Sequence, residues 1–361
     1  MSGNSVKSVR VGIIGGGFMA RTHAAAARAA GAHVAAVASS SPERTRQAAA
    51  AFGVDPAESV RQLIEAVDVV HITSPNALHA EHALAALEAG KHVVCEKPLA
   101  TDPATAAELA AAAEEAGVVA TVPFVYRFHP MARQARAHAA ASGLGRLLTV
   151  RGAYLQDWML DPQETNWRVD AAAGGPSRAF GDIGSHLVDL TEFIAGERIV
   201  RLNAATSRAF AERDSTAVET EDAAVLTVET ASGAVGSLMV SQVNAGRKNA
   251  LTLELAGTDS SVEFVQERPD ELWIGGASSS RILSRDAAVL APDAARLCTV
   301  PAGHPMGYVD AFAAFARDTY AAIAGDAPDG LPTFDDGARA NRLTAAVLDS
   351  AASGVWVDTR D

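Results

Sequence analysis

The spacing of apolar and polar positions changes character about a third of the way along the chain. From Val9 to about Val122, short apolar runs alternate with amphipathic, alanine-rich stretches, the pattern of a parallel sheet whose strands are joined by crossover helices. "VRVGII", "HVAAVA", "DVVHIT", "KHVVCE" and "GVVATV" read as the strands, and Pro42 to Ala51, Ala77 to Ala89 and Asp102 to Ala116 as helices between them. Asp102 followed by Pro103 has the form of an N-cap with proline at the first helical position, and Gly90 and Gly117 stand where helices should stop.

After about Tyr126 the segments lengthen, alternate with period two and follow one another without long helices. "RLLTVRGAYL", "AAVLTVET", "GAVGSLMVSQV", "NALTLELAG" and "SSVEFVQ" predict an antiparallel sheet with one face covered. A helix from about Ser185 interrupts this run, and Phe334 to Ser353 is helical again, placed to pack back on the first domain. The expected division is therefore an α/β domain over residues 1–126 and an α+β domain over 127–361, with the residues before Lys7 disordered.

Composition narrows the classes of function. A chain of 361 residues is longer than one core usually serves, and 48% apolar with 20% charged residues is the balance of a folded globular protein. A net charge of -13, with no block of Lys and Arg, excludes nucleic acid as a partner. No apolar run reaches the ~18–20 residues of a membrane span, and the N-terminus lacks the order of a signal peptide, so a cytoplasmic protein is expected. Cys95 and Cys298, far apart and in no metal or redox spacing, fit a reducing compartment and read as buried small hydrophobes.

Candidate chemistry begins at "VRVGIIGGGFMARTH". Gly15, Gly17 and Ala20 stand in G-x-G-x-x-A spacing directly after the first strand, with Phe18 and Met19 inside the turn. The first glycine permits a tight turn, the second lets backbone approach a pyrophosphate, and the small third residue lets the helix lie close to the sheet. This predicts dinucleotide binding. At the end of the second strand, where a carboxylate would grip a ribose 2'-hydroxyl, the chain has "ASSSPER". Ser39 and Ser40 are neutral donors and Arg44 could pair with a 2'-phosphate, which leans towards NADP over NAD. The alternative is that Ser41 only caps the next helix and Arg44 is solvated, leaving NAD acceptable.

"HVVCEKPLA" ends an apolar strand on Glu96 and Lys97 and breaks at Pro98. In a doubly wound sheet, ligands bind beyond the carboxyl ends of the strands, and a residue before proline is held extended. Lys97 could there donate a hydrogen bond to a substrate hydroxyl or shuttle its proton; by position alone it could equally be a solvated lysine.

Several separated stretches resemble the glucose-fructose oxidoreductase, inositol dehydrogenase and MocA family of sugar and polyol dehydrogenases. They are "GIIGGGFMARTH", "TSPNALHAEHALAALEAGKHVVCEKPLA", "VYRFHP", "NWRVDAAAGGPSRAFGDIGSHLVDL" and "GHPMGYVDAFAAF", in the family's order and over most of the chain. The resemblance implies a Rossmann doubly wound parallel sheet followed by an α+β domain with a large open, mostly antiparallel sheet, and a cis bond between Lys97 and Pro98. It implies Lys97, Asp182 and His186 as the catalytic group, with His186 as general acid/base and Asp182 binding a hydroxyl or orienting the imidazole. Without it, Asp182 reads as a helix cap and His186 as a packed or surface residue.

Thr73, Pro75, Asn76 and His79 are expected to join the glycines, Glu96 and Lys97 as cofactor contacts, and Tyr126, Arg127, Trp167 and Arg168 to join Asp182 and His186 at the substrate. His79 and His82 are three apart, but no third ligand accompanies them and no metal is expected. The expected activity is NAD(P)-dependent oxidation or reduction at a secondary hydroxyl of a sugar, sugar derivative or cyclitol. Two rivals stand beside it: a glycosidase or lyase working through a transient keto-sugar, and a nucleotide-sensing protein without catalysis. A homodimer or homotetramer is the implied assembly.

Overall fold

The computed structural model describes residues 9–360; the disorder expected before Lys7 lies outside the described residues. Among them, 9–100, 104–123 and 309–338 form one compact unit and 101–103, 124–308 and 339–360 a second.

The first unit contains β1 (Arg10–Ile14), α1 (Phe18–Ala29), β2 (His33–Ala38), α2 (Pro42–Phe52), β3 (Asp55–Pro56) and α3 (Val60–Ala66). It continues with β4 (Val69–Ile72), α4 (His79–Glu88), β5 (His92–Cys95), α5 (Pro103–Ala116) and β6 (Ala120–Thr121). The strands lie in the order β3-β2-β1-β4-β5-β6, all parallel. This is the doubly wound order, and its direction reverses between β1 and β4, where such sheets open a crevice. Strands covered on both faces are apolar along most of their length, and Val11, Ile13, Val69, Val70, Val93 and Val94 are wholly buried. Alanines on α1 (Ala20, Ala24, Ala27) face inward at helical spacing, so this helix can lie close to the sheet. Short β3 and α3 were not legible, being too brief to show a period.

The second unit opens with α6 (Pro130–Ala140), β7 (Leu147–Leu155), α7 (Ala171–Gly174) and α8 (Ser185–Ala195). Strands β8 (Ile199–Ser207), β9 (Glu212–Arg213), β10 (Thr216–Ala217), β11 (Ala223–Thr230) and β12 (Val235–Ser241) follow. Then come β13 (Ala250–Gly257), β14 (Ser260–Val265), β15 (Glu271–Gly276), β16 (Ser280–Ser284) and α9 (Pro292–Ala295). After α10 (Tyr308–Ile323) and α11 (Phe334–Ser353) the chain ends on β17 (Val357–Asp358). Nine strands form one sheet, ordered β16-β15-β14-β13-β7-β12-β11-β8-β17 and antiparallel except where β12 runs parallel to β7. On β11, Ala224, Leu226 and Val228 are buried while Val225 and Thr227 are exposed, the period-two signature of a sheet with one covered face. Gly152 on β7 lets α8 settle there, since a Cβ at that position would lie 3.0 Å from Leu187 Cδ1.

The C-terminal helices divide differently from expectation. Residues 309–338 group with the first unit, whereas α11 contributes only its opening turn there; Leu343, Ala346 and Val347 join the core of the second. Both helices are alanine-rich with a buried face, so amphipathicity could not assign either to a domain. Cys95 is buried as expected and its thiol is pushed well above its ordinary pKa, mainly by burial; Cys298 is only partly buried. No helix among the described residues is long and apolar enough to cross a membrane.

Candidate active site

The glycine turn sits at the carboxyl end of β1. Gly15 has φ +131°, and a Cβ there would fall 2.3 Å from Thr73 Oγ1 and 2.9 Å from the Thr73 carbonyl oxygen, so only glycine fits beside β4. Thr73 in turn donates from Oγ1 to the Ile14 carbonyl at 2.9 Å. Gly17 is the N-cap of α1 and supplies no side-chain cap, while a Cβ on it would meet nothing within 4 Å. The positive end of an α-helix with open space before it accepts an anion such as a pyrophosphate. Phe18 is 63% exposed, Met19 half-buried and Ala20 fully buried against the sheet.

At the end of β2, Ser41 caps α2 by accepting from the Arg44 amide at 3.2 Å, and Arg44 Nη1 donates to Ser40 Oγ at 3.3 Å. Ser41 is therefore a cap, as one of the two readings expected, and Arg44 stands exposed beside Ser40 with no carboxylate in the Ser39–Ser41 run. Ser39 is half-buried, its amide bonded to Thr45 Oγ1 at 2.9 Å.

Beyond β4, Pro75 is exposed and Asn76 is buried in a 3-10 turn, Asn76–Leu78, that leads into α4. His79, expected among the cofactor contacts, has both ring nitrogens beside main-chain carbonyls. Its Nδ1 lies 2.7 Å from the Pro98 carbonyl oxygen and its Nε2 2.9 Å from that of Ser74. Burial lowers its pKa against the opposing pull of those carbonyls. The ring thus braces the loop after β4 against the one after β5. His82 faces Ser74 Oγ at 3.2 Å, and no group of three metal-ligating side chains occurs among the described residues.

Lys97 follows β5, half-exposed, and its bond to Pro98 is cis. Its amide donates to Glu96 Oε2 at 3.1 Å, and the Glu96 side chain points inward, where His23 Nε2 meets Oε1 at 3.0 Å. Glu96, expected among the cofactor contacts, is buried and holds the Lys97 amide.

In the second unit the helix carrying His186 begins earlier than Ser185. A π-helical turn, Phe180–Gly184, runs without a break into α8, so Asp182 is already helical. Such turns recur at functional sites because the extra residue re-aims side chains. Gly184 is required here, since a Cβ would sit 2.4 Å from the Phe180 ring. The turn is capped by Glu221, whose carboxylate accepts from Ser177 Oγ at 2.7 Å and from the amides of Phe180 at 2.8 Å and Arg178 at 3.2 Å. Behind it, Asp222 is buried between Arg178 and Arg213; burial would raise its pKa, but the two guanidiniums hold it below the usual carboxylate range.

Asp182 accepts from Gln242 Nε2 at 2.8 Å and faces Arg168 Nε at 3.6 Å, with the Arg168 guanidinium stacked 4.4 Å over the Trp167 ring. Asp182, Arg168 and Trp167 are therefore brought together, all partly exposed. His186 is 9% exposed and packs edge-on to Tyr126, ring centroids 5.0 Å apart, and to Phe124 at 5.7 Å. Tyr126 is buried, its hydroxyl bonded to that of Tyr154 and 3.2 Å from Asn249 Nδ2; burial raises its pKa. Arg127, expected at the substrate, has its guanidinium turned to a carboxylate of the protein. It is buried and forms a bidentate pair with Asp189, one turn after His186, with Nε to Oδ2 at 2.9 Å.

Gln242 and Glu221 were missed by sequence reasoning. Gln242 had a signal: it continues the inward positions Leu238 and Val240 of β12 and is wholly buried, and a polar residue at an inward position needs a partner. Glu221 lay in a loop with no period to mark it.

Comparison with known proteins agrees with this architecture. Residues 9–124 match the family model described as "Oxidoreductase family, NAD-binding Rossmann fold", and 132–263 match the "GFO/IDH/MocA C-terminal domain". Levoglucosan dehydrogenase of Pseudarthrobacter phenanthrenivorans is 33% identical, the alignment covering 98% of each chain. A solved structure of levoglucosan dehydrogenase in complex with NADH and levoglucosan superposes with TM-score 0.92 at 33% identity, covering 98% of this chain and 100% of that one. An inositol dehydrogenase homolog of Azotobacter vinelandii, complexed with NADH and myo-inositol, gives TM-score 0.87 at 30% identity over 98% of both chains. With likeness of this degree along its whole length, and with the NAD-binding Rossmann sheet and open antiparallel sheet that the motifs pointed to, the chain belongs to the Gfo/Idh/MocA oxidoreductase family.

Proposed function

We propose that the chain is an NAD(P)-dependent dehydrogenase acting on a secondary hydroxyl of a neutral sugar, sugar derivative or cyclitol. The observation that carries this reading is the likeness over 98% of the chain to a dehydrogenase solved with NADH and levoglucosan. The glycine turn, the start of α1 and the loop after β4 fit the dinucleotide, with Gly15, Gly17, Phe18, Met19, Ala20, Thr73, Pro75 and Asn76 holding it. When bound, the nicotinamide supplies the hydride acceptor. Lys97 donates a hydrogen bond to the reacting hydroxyl oxygen, the His186 imidazole takes its proton, and Asp182, held by Gln242, orients the substrate with Arg168 and Trp167. Ser40 and Arg44, with no carboxylate in the Ser39–Ser41 run, support NADP over NAD.

The two unpaired cysteines support a cytoplasmic location, and exposed Val225 and Met239 on the open sheet face support a homodimer or homotetramer, which light scattering would measure. The test of function is a panel including levoglucosan, myo-inositol and simple hexoses against NAD⁺ and NADP⁺, followed at the reduced-nucleotide absorbance band. Sugar cleavage without accumulation of reduced nucleotide would instead establish a lyase or glycosidase. Lys97→Ala and His186→Ala should each abolish measurable turnover while nucleotide binding, followed by nucleotide fluorescence, persists; loss of nucleotide binding in both would refute these roles.

A further inference from the structure

Behind Lys97, four buried side chains that take no part in the reaction just described form one hydrogen-bonded chain. His23 lies on α1, His71 on β4, Tyr320 on α10, and Glu96 directly after β5; all are at least nine-tenths buried. The Tyr320 hydroxyl is 3.1 Å from His71 Nε2, His71 Nδ1 is 3.0 Å from His23 Nδ1, and His23 Nε2 is 3.0 Å from Glu96 Oε1. Glu96 Oε2 then accepts the Lys97 amide at 3.1 Å. The His23 ring packs edge-on to His71, centroids 5.2 Å apart, and is tilted against Phe312 at 5.3 Å.

The protons in this chain have one self-consistent order when Glu96 is a carboxylate and both imidazoles are neutral. A carboxylate has no proton to give, so His23 donates from Nε2. A neutral His23 then accepts at Nδ1, which obliges His71 to donate from Nδ1 and leaves His71 Nε2 to accept from Tyr320. Every ring nitrogen is used once, and the bonds all run from the Tyr320 hydroxyl to the Glu96 carboxylate. Burial, reinforced by His23, keeps the pKa of His71 well below its ordinary value, and burial raises that of Tyr320, so the first acceptor and first donor are in the states the order needs.

A polar chain so deep in a core is costly unless fully satisfied, and apolar side chains would fill the same space without that demand. What distinguishes this place is the segments it joins. α1 starts at the Gly17 turn, β4 leads to Thr73 and Ser74, and β5 leads to Lys97.

We propose that His23 and His71 are positioning residues for the dehydrogenase reaction: their fixed tautomers hold the Glu96 carboxylate that in turn sets the main chain of Lys97. The inference rests on the role given above to the Lys97 ammonium group.

The experiment measures kcat, KM and nucleotide dissociation constants for variants of the full-length protein, using the fastest sugar of the panel, with thermal melting to establish that each is folded. His71→Val places an apolar residue in a strand already buried on both faces and removes the donor to His23. It should lower kcat roughly 10- to 100-fold, the scale of a misplaced reacting group, with nucleotide affinity within about twofold of wild type. His71→Asn puts an amide N–H where Nδ1 stood and His23→Gln puts one where Nε2 stood; each should restore most of the rate, whereas His23→Leu should not. Tyr320→Phe, which removes one oxygen, serves where His71→Val does not fold and should lower kcat several-fold. Folded His71→Val and His23→Leu, or Tyr320→Phe in their place, turning over at the wild-type rate while Lys97→Met is inactive would overturn the positioning role alone. Wild-type turnover by Lys97→Met would overturn the role of Lys97 and this inference with it.

Discussion

Replacing Arg127 by methionine separates a substrate contact from a structural ion pair. Arg127 belongs to the turn Val125–Phe128, is 6% exposed, and meets Asp189 through both Nε and Nη2, with its guanidinium carbon 5.1 Å from the Phe193 ring centroid. Methionine matches the aliphatic stem but leaves the Asp189 carboxylate buried without its bidentate partner. Removing one member of a buried pair costs about 3–5 kcal/mol. For a unit of roughly 200 residues, where ~1 kcal/mol moves the melting temperature by about 2–4 °C, the transition should fall by ~6–20 °C. The double variant Arg127→Met/Asp189→Leu removes both charges and should recover most of that loss, because the desolvation of each ion disappears with it. Thermal unfolding of the two single variants and the double one gives the coupling, and sugar KM measured below the transition should change little in Arg127→Met. An unchanged melting temperature with a sugar KM raised more than tenfold would show that the guanidinium serves substrate and that the pair with Asp189 is not what holds it.

The glycine turn, the Asp182 clamp and four histidines give three further tests. Gly15→Ala forces an L side chain into φ +131° and against Thr73, a strain of about 1–3 kcal/mol, and should weaken nucleotide binding roughly 10- to 100-fold by fluorescence titration; unaltered affinity would show that the turn is free to rearrange. Gln242→Leu deprives Asp182 of an amide donor and should raise sugar KM while nucleotide affinity holds; a change in nucleotide affinity alone would contradict the placement of Asp182. His71, His79, His82 and His92 all have folded pKa values lowered, chiefly by burial, from the ordinary value of about 6.5. Below about pH 6.5 the unfolded chain binds protons that the folded one refuses, so the stability these residues contribute is present above that pH and lost as pH falls towards their folded values. The melting temperature should therefore drop between pH 7.5 and 5.5, and by less in His71→Val; an equal drop in that variant would show that His71 is not responsible.

Much of the first unit was legible because its signals are local. A strand, a glycine turn and a helix start fall within the 20 residues from Arg10 to Ala29, and the positive φ that calls for glycine at position 15 belongs to that turn. Period-two alternation likewise marked β7, β11, β12, β13 and β14, because which face a strand residue takes depends on its neighbours in sequence. Elements too short to complete a period, such as β3, and helices apolar on nearly every side, such as α10, carried no local mark of where they would pack.

The polypeptide by itself determined the strand-and-helix pattern of the Rossmann sheet and the glycine turn, since each follows from interactions among residues close in the chain, while the catalytic candidates came from the resemblance of its motifs to a family. Only the tertiary structure decided what those residues do, because burial and pairing are made over long separations. Arg127 became a structural ion pair on meeting Asp189, 62 positions away, and the two ring nitrogens of His71 gained hydrogen-bond partners on meeting His23 and Tyr320, 48 and 249 positions away. A charged or tautomeric side chain has no fixed role until folding sets its solvent and its partners, and no window of sequence contains them.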